Sequence, residues 1–379
     1  MDKLIVLSGV NMVEGGILTV YRSMIDTFSK VHGVKLICLV HDIALFNDYV
    51  GLPNVEFREY KETKTSWFKR IKFEYMTSYA LSKELKPDAW ISLHDMSARV
   101  AVPNQFVYCH NPSPFYQSSS VDLKYDRTFY LFTKFYKFLY GINIKANRYV
   151  IVQQQWIARY FQKTYGINNI MVARPVANLK KDDEHRLTTV EPDSLKRLLY
   201  PAFPRTFKNF SVLVEAMDLL KQQQREVYNR IQIRLTFDKG MTKFGDYIIE
   251  ECERRQLDNI CFIGLQSKQR LDEMYRNETD ALIFPSKLET WGLPLSEAKA
   301  FNLPILCAEL PYAHETLGDY GKVAFFPPDD VTHLAEKLTA LCEGKNIFST
   351  TSFVDDPAYL VSHSWDALVK NILDSLETK

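Results

Sequence analysis

The chain has 379 residues, more than one hydrophobic core usually holds, and this length predicts two domains. With 46% hydrophobic and 25% charged residues the composition is globular, and the net charge of +1 gives no overall indication of nucleic-acid binding. Residues 1–185 carry 24 Lys and Arg against 17 Asp and Glu, whereas the remainder carries 23 against 29. The two halves are therefore expected to meet different partners.

Short apolar runs alternate with amphipathic stretches along the whole chain. Continuous apolar runs between helical patterns predict parallel strands that are covered on both faces. We predict an α/β protein of two Rossmann-like, doubly wound domains, residues 1–185 and 186–379, which face a central cleft and are joined in the polar stretch 179–193. The last helix, about 357–379, is expected to pack back on the first domain. The predicted strands are 3–9, 35–40, 89–94, 105–110, 148–153, 169–175, 196–202, 231–237, 259–265, 281–286, 304–310 and 322–327.

Three features of the sequence predict a cytoplasmic protein. The first apolar run, KLIVLSG, lacks a small-residue cleavage site and leads directly into a glycine turn, so it indicates a strand rather than a signal peptide. No apolar stretch is long enough to cross a bilayer. The six cysteines form no C-x-x-C pair, and several lie in apolar runs, which favours reduced core thiols over disulfides or a zinc site.

Candidate binding residues follow several predicted strands of the first half. Gly15 and Gly16 follow the first strand, where glycine lets the backbone approach a ligand, although the pattern is not G-x-G-x-x-G. His94 and Asp95 end a second strand in ISLHDMS, and His110 ends a third in QFVYCHNPSP. Taken alone, each is equally compatible with a tight turn or a satisfied buried side chain.

The most specific pattern is ALIFPSKLETWGLPLSEAKA, residues 281–300. A buried strand ends before Pro285, and a helix is predicted to begin near Pro294, because proline is tolerated in the first helical turn. The free N–H groups around Trp291, Gly292 and Leu293 would then form an anion site. Two carboxylates, Glu289 and Glu297, flank this helix start with seven residues between them.

FPSKLETWGLPLSEA resembles the E-x7-E signature of retaining GT-B glycosyltransferases, family 4, and the strand and loop pattern that follows it is also similar. The resemblance implies that Glu289 contacts the hydroxyls of the donor sugar and that Glu297 contacts the nucleotide ribose. The intervening backbone would meet sugar and phosphate. It also implies that Arg205 and Lys208, in PAFPRTFKNF, grip the diphosphate, although their R-x-x-K spacing is shorter than the family's commoner pattern.

The same resemblance assigns roles to the remaining candidates. Gly15 and Gly16 would face the donor phosphate and the acceptor, and His110 would lie beside the donor sugar without acting as a general base. His94 and Asp95 would line the acceptor side. The nucleotide base would meet backbone around Gly264.

The resemblance implies a metal-independent hexosyltransferase with no cofactor. It would move sugar from a UDP-, GDP- or dTDP-linked donor to a glycan or lipid-linked acceptor in bacterial surface polysaccharide synthesis. In agreement, the paired acids Asp182-Asp183 and Asp329-Asp330 do not form a D-x-D metal motif. The alternatives are a GT-B nucleotide-sugar epimerase, a phosphorylase and a non-catalytic nucleotide-sugar-binding scaffold.

Two stretches combine aromatic and basic residues, TKTSWFKRIKFEYMTSY and residues 124–148. The second holds six basic residues against one acid, Asp126. Such patterns suit helices that lie on an anionic membrane at the inner face. They equally suit helices whose aromatic residues pack inward while the lysines remain solvated.

Overall fold

The computed structural model describes residues 2–175 and 195–377. These residues form two compact units. Unit 1 comprises 2–114, 135–175 and 355–377, and unit 2 comprises 115–134 and 195–354. The predicted domain boundary at 185, the stretch 179–193 and the pair Asp182-Asp183 lie outside the described residues.

Unit 1 is built on a parallel sheet of eight described strands in the order β15-β7-β6-β5-β4-β1-β2-β3. The connections run in opposite directions from β1 and β4, so the gap between the carboxyl ends of these two strands is the topological switch point, where ligands bind in such sheets. The strands are β1 (Lys3–Gly9), β2 (Val34–Val40), β3 (Val55–Glu59), β4 (Ala89–Ser92), β5 (Gln105–Tyr108), β6 (Tyr149–Val152), β7 (Ile170–Ala173) and β15 (Leu360–Ser362).

Unit 2 is built on a sheet of seven described strands in the order β10-β9-β8-β11-β12-β13-β14, in which only β14 is antiparallel. Its switch point lies between β8 and β11, which are paired in parallel. The strands are β8 (Lys196–Tyr200), β9 (Ile231–Leu235), β10 (Ile260–Phe262), β11 (Ala281–Phe284), β12 (Ile305–Ala308), β13 (Tyr320–Phe326) and β14 (Ser349–Thr351).

Helices connect most of the parallel strands and cover the sheets. A π-helical turn, Phe73–Thr77, joins the second and third helices. The helices are α1 (Gly15–Ser29), α2 (Trp67–Lys72), α3 (Ser78–Leu85), α4 (Ser120–Tyr125), α5 (Arg127–Gly141), α6 (Gln155–Tyr165), α7 (Phe210–Gln223), α8 (Arg225–Asn229), α9 (Lys243–Arg255), α10 (Lys268–Asn277), α11 (Leu293–Ala300), α12 (Pro311–Leu317), α13 (Val331–Cys342) and α14 (Trp365–Glu377).

The two doubly wound parallel sheets confirm the predicted fold class, and all twelve predicted strands are present. Three further strands, β3, β14 and β15, were missed because they are short or half exposed and lack a continuous apolar run. The helix expected at about 357–379 is present but begins later than predicted. Residues 360–362 form β15, which pairs with β7, and the helix begins at Trp365.

The last helix, α14, packs in unit 1. Its residues Leu368, Val369 and Ile372 are buried in the same apolar core as Ile5, Leu7 and other side chains of β1 and α1. This face follows the spacing i, i+1, i+4 of an amphipathic helix. In the part of the chain that the structure describes, every helix is too short or too polar to cross a bilayer.

Candidate active site

Lys208 and Glu289 meet at the switch point of unit 2. Lys208 lies in the turn after β8, and Glu289 lies in the loop after β11, the adjacent strand. The Lys208 Nζ donates a hydrogen bond to Glu289 Oε1. The two side chains retain only 17% and 14% of their exposure, so this ion pair is shielded from water yet open to a ligand. Two residues that the sequence predicted to bind one donor are thus in direct contact.

The backbone that carries Lys208 is held from both sides. The Tyr200 hydroxyl donates to the Lys208 carbonyl at 2.9 Å. The next residue, Asn209, has a φ of +59°, a left-handed conformation that asparagine tolerates better than most residues. Its side-chain amide donates to the carbonyls of Pro285, at 3.2 Å, and Pro328, at 2.7 Å. These bonds tie the Lys208 turn to the loops after β11 and β13 and give the ammonium group a defined origin.

Two buried tyrosines, Tyr200 and Tyr312, are close enough to Glu289 to be affected by its charge. Burial, together with the charge of Glu289, raises the pKa of Tyr200 well above its usual value. Burial likewise raises the pKa of Tyr312, with Cys307 and Glu289 adding to the effect. The Tyr312 hydroxyl donates to the Ser286 carbonyl at 2.6 Å, which fixes the start of the loop. In such surroundings charges interact more strongly than in water.

Arg205 is held by residues from the front half of the sequence. Its Nε donates to Asp126 Oδ2 at 2.5 Å. Its guanidinium lies 5.7 Å from the ring centroid of Phe129 and 5.8 Å from that of Phe207, within the range of a cation–π interaction. Asp126 follows α4 and Phe129 belongs to α5, and both are part of unit 2. Arg205 is therefore fixed three residues before Lys208 but is not in the same ion pair.

Helix α11 begins as the sequence predicted. Gly292 precedes it with a φ of +79°, a conformation that favours glycine, and Pro294 occupies the first turn. The indole Nε1 of Trp291 donates to Ser296 Oγ at 2.9 Å, and the Thr316 hydroxyl donates to the Trp291 carbonyl. Side chains of the described residues do not cap the first N–H groups of this helix. These N–H groups form the positive end of the helix dipole, and the first residue of the helix, Leu293, is exposed.

Glu297 is partnered one turn into α11. The Tyr275 hydroxyl donates to Glu297 Oε2 at 3.1 Å, and Lys268 Nζ lies 3.1 Å from Oε1. Burial, followed by the charge of Glu297, raises the pKa of Tyr275 well above its usual value. Gly264, after β10, has a φ of +70°, and a Cβ at this position would collide with the Asp238 carboxylate. The backbone conformation at Gly264 therefore favours glycine, and a Cβ there would also displace the exposed Asp238 side chain.

His110 in unit 1 is buried, and both of its ring nitrogens have neighbours. Its Nε2 lies 2.8 Å from the Leu93 carbonyl, to which it donates, so Nδ1 is the acceptor for the Gln153 amide at 3.4 Å. Burial lowers the pKa of His110, and Asp95 opposes that effect. The ring also stacks on Tyr108 with centroids 4.4 Å apart. The neutral, doubly engaged ring suits positioning rather than proton transfer.

Asp95 organises the loop that follows β5. Its Oδ1 accepts from the backbone N–H of His110 at 2.5 Å and of Asn111 at 3.1 Å, and from the Tyr140 hydroxyl at 3.0 Å. Its Oδ2 accepts from the Tyr136 hydroxyl at 2.8 Å. With a φ of +74°, Asp95 adopts a conformation that costs free energy for a residue with a side chain. These four bonds give Asp95 a structural role.

His94 is buried in a polar cluster with Arg70 and Glu74. Its Nδ1 lies 2.6 Å from a guanidinium nitrogen of Arg70, and its Nε2 lies 3.5 Å from Glu74 Oε1. Burial, followed by the charge of Arg70, lowers the pKa of His94 well below its usual value. The acceptor contact expected of His94 and Asp95 stays a prediction.

Gly15 and Gly16 are exposed at the start of α1, where a Cβ would meet open space.

The sequence alone indicates no partners for the predicted site residues. Asp126 was noted only as a lone acid, and nothing local indicates that it binds Arg205, 79 residues away. Lys268 and Tyr275 were likewise missed as partners of Glu297. Their spacing of seven residues is a signal, because it places both on one face of α10.

The comparison with known proteins identifies the fold as GT-B. Residues 181–349 match the family model described as "Glycosyl transferases group 1". The structure of a glycosyltransferase from Rickettsia africae is similar, with a TM-score of 0.60 and 15% identity. The match covers 99% of this chain and 93% of that protein. The lipopolysaccharide outer core galactosyltransferase WaaB is similar with a TM-score of 0.60 and 13% identity. That match covers 99% of this chain and 94% of WaaB. Anabaena HepE in complex with UDP and glucose is similar with a TM-score of 0.59 and 12% identity. That match covers 99% of this chain and 97% of HepE.

One curated relative is similar in sequence. The O-antigen chain mannosyltransferase RfbU of Salmonella typhimurium is 23% identical over 227 residues, which is 60% of this chain. The matched region spans 58% of that relative's length.

Proposed function

We propose that this protein is a retaining glycosyltransferase that moves a hexosyl group from a nucleotide-diphosphate sugar to a hydroxyl of a glycan or lipid-linked acceptor. The observation that carries the proposal is the Lys208–Glu289 pair at the switch point of a doubly wound sheet. The similarity to an O-antigen mannosyltransferase and an outer core galactosyltransferase supports a role in bacterial surface polysaccharide synthesis. The UDP bound to HepE supports a nucleotide donor.

The leaving diphosphate gains negative charge as the bond to the sugar breaks. Lys208, Arg205 and the N–H groups at the start of α11 are the groups that would stabilise it, because preorganised donors act where charge develops. Both cations already hold carboxylates, Glu289 and Asp126, which keep their side chains in place before the donor binds. A bound diphosphate would share these cations, and their charge would replace the need for a metal ion.

The carboxylates would hold the rest of the donor. Glu289 would accept hydrogen bonds from the sugar hydroxyls, and Glu297, oriented by Tyr275 and Lys268, would accept them from the ribose. Backbone near Gly264 would meet the base. The roles proposed for His110, Gly15 and Gly16 are sugar and phosphate contact. As the bond between the anomeric carbon and the phosphate oxygen breaks, the acceptor hydroxyl would bond to that carbon on the same face and give its proton to the departing phosphate oxygen. The anomeric configuration would then be retained without a dedicated enzymic base.

Thermal shift with UDP-, GDP- and dTDP-sugars tests donor binding first, because a ligand that binds the folded state raises its melting temperature. Lys208→Met and Glu297→Gln should reduce the shift, whereas Lys30→Met should not. Lys30 forms an exposed pair with Asp26 at 2.7 Å in unit 1 and is the matched control. Release of free sugar and nucleotide that needs no acceptor would instead indicate an epimerase. Donor binding without any turnover would indicate a scaffold.

We also propose contact with the inner face of a membrane through the segment from α2 to the π-helical turn. Trp67, Phe68 and Met76 are 51%, 76% and 65% exposed, and the exposed Lys69 and Lys72 lie between them. Apolar side chains next to lysines suit the boundary of an anionic bilayer. In α5, some aromatic residues pack inward and others face outward, so both interpretations of the aromatic and basic pattern apply. Tyr136 and Tyr140 are buried, whereas Phe135 and Phe138 are exposed.

Sedimentation with vesicles of phosphatidylglycerol and phosphatidylethanolamine tests this contact. The double variant Phe68→Ser, Met76→Ser should lose vesicle binding. Val354→Ser, which removes an apolar side chain that is 87% exposed in unit 2, should retain it. Equal sedimentation of both variants would contradict the proposed surface.

A further inference from the structure

The loops after β9 and β10 bring a carboxylate and a glycine together at one edge of the unit 2 sheet. The two strands are parallel neighbours, and Asp238 and Gly264 lie just beyond their carboxyl ends, the edge at which such sheets bind ligands. The Asp238 carboxylate lies against the Gly264 backbone, with Oδ1 3.2 Å from the position that a Cβ of residue 264 would take. The roles proposed above use the Gly264 backbone but give none to Asp238.

Asp238 is held by its neighbours, yet its carboxylate is open to a ligand. The preceding residue, Phe237, is buried, and its ring contacts those of Phe210 and Phe262 with centroids 5.0 and 5.1 Å away. The Asp238 N–H lies 3.3 Å from Met241 Sδ. The Asp238 side chain is exposed and forms no hydrogen bond or ion pair with a described residue. Both of its oxygens can therefore accept hydrogen bonds from a ligand.

The loop beside this carboxylate offers a donor rather than acceptors. The Gln266 amide donates to the carbonyls of Ile263, at 2.5 Å, and Gly264, at 3.2 Å. The Ile263 N–H is also used, because it donates to the Leu235 carbonyl at 2.9 Å. The next residues differ: Leu265 is 76% exposed, and its N–H has no hydrogen-bond partner in the part of the chain that the structure describes. A ligand here meets one N–H donor and one pair of carboxylate acceptors.

Guanine is the nucleobase whose edge matches these groups. It presents the acceptor O6 next to two donors, N1–H and N2–H2, and the two donors can bond to both oxygens of one carboxylate. Such paired, charge-assisted hydrogen bonds are stronger than neutral ones. Uracil and thymine place N3–H between two carbonyl oxygens, so a carboxylate that accepts from N3–H is repelled by a neighbouring oxygen. Adenine and cytosine likewise present an acceptor nitrogen beside their amine.

We propose that Asp238 makes the donor site selective for a guanine nucleotide by accepting hydrogen bonds from N1–H and N2–H2 while the Leu265 N–H donates to O6. The inference rests on the proposed function, which puts the nucleotide base at the backbone near Gly264. Glycine at 264 contributes to this selectivity, because a side chain there would displace the Asp238 carboxylate. GDP-linked sugars are then the expected class of donor.

Isothermal titration of the full-length protein with GDP, UDP, dTDP and IDP tests the inference. IDP, inosine diphosphate, differs from GDP only by lacking the N2 amine. The wild type should bind GDP at least about tenfold more tightly than each of the other three, the effect of one hydrogen bond to a charged group. Asp238→Asn should weaken GDP binding about tenfold. It should also bring the affinities for GDP, UDP and IDP within about threefold of one another, because an amide donor suits a uracil carbonyl and opposes N2–H2.

Asp258→Asn is the matched control. Asp258 is also exposed in unit 2, and its side chain likewise pairs with none of the described residues. It precedes β10, however, and so lies at the opposite end of that strand from Gly264. Its substitution removes the same charge in the same way and should leave all four affinities as in the wild type.

Two results would overturn the selectivity and leave the proposed function standing. One is UDP or dTDP binding to the wild type as tightly as GDP, and the other is equal binding of GDP and IDP. A preference for GDP that persists unchanged in Asp238→Asn would overturn the role of Asp238. Failure of every nucleotide to bind would count against the proposed function itself, and the inference would fall with it.

Discussion

Replacing Lys208 by methionine removes one positive charge from the switch point of unit 2 while keeping the length of the side chain. In the wild type this charge is paired with Glu289, and both side chains are at least four-fifths shielded from water. The substitution has two separate consequences. Under the proposed function, a bound diphosphate would lose a cation that stabilises the negative charge it gains during the reaction. Glu289 also loses its counter-ion.

We expect the turnover number to fall about 10²- to 10³-fold, the range seen when one preorganised donor to a developing negative charge is removed. Donor affinity should weaken less than about tenfold, because Arg205 and the start of α11 still attract the diphosphate in the ground state. The folded state should lose about 1–3 kcal/mol, since Glu289 becomes an unpaired carboxylate that is largely buried. The double variant Lys208→Met, Glu289→Gln should recover most of this stability but none of the activity.

Single-turnover kinetics, donor titration and urea unfolding measure these three quantities for Lys208→Met, the double variant and the control Lys30→Met. The control should match the wild type in all of them, because exposed ion pairs contribute little to stability. If Lys208→Met weakens donor binding as much as it slows turnover, Lys208 binds the ground state and transition state equally, and the proposed catalytic role is refuted.

Three further predictions concern Glu297 in unit 2 and Asp95 and Glu74 in unit 1. Glu297→Gln should weaken nucleotide binding about tenfold with little change in turnover, and Tyr275→Phe should weaken nucleotide binding by a smaller factor. Isothermal titration measures both affinities, and an unchanged affinity of Glu297→Gln would contradict the proposed ribose contact. Asp95→Ala should lower the free energy of unfolding by about 2–4 kcal/mol in urea, and Asp95→Asn by less, whereas equal losses would argue against the four hydrogen bonds as the cause. Burial raises the pKa of Glu74 to about 7 and lowers the pKa of His94. Between about pH 4.5 and 6.5, Glu74 is therefore protonated in the folded state but ionised in the unfolded chain, whereas His94 is neutral in the folded state but protonated in the unfolded chain. Their effects on stability oppose each other there, and Glu74→Gln should reveal a loss of stability as pH falls below about 6.5; a flat profile in urea unfolding would refute this.

The two α/β sheets could be predicted from the sequence because burial on both faces leaves a local record. Strands such as KLIVLSG and ALIF are continuous apolar runs, and each lies fully or largely buried in a parallel sheet. The helix start after Gly292 was equally predictable, since glycine and proline act through their own backbone restrictions. Periodicity and turn chemistry are properties of neighbouring residues, so a single sequence carries them.

Tertiary structure alone decided which residues meet. Lys208 and Glu289 are 81 residues apart, and they touch because β8 and β11 are neighbours in a sheet whose strand order is not the chain order. The same holds for Asp126, which lies in the front half of the sequence but belongs to unit 2 and binds Arg205. Likewise, the basic stretch of α2 does not reveal that Arg70 turns inward to Glu74 while its neighbours stay exposed. Strand order and the choice of buried face depend on the packing of the whole chain, which no local pattern contains.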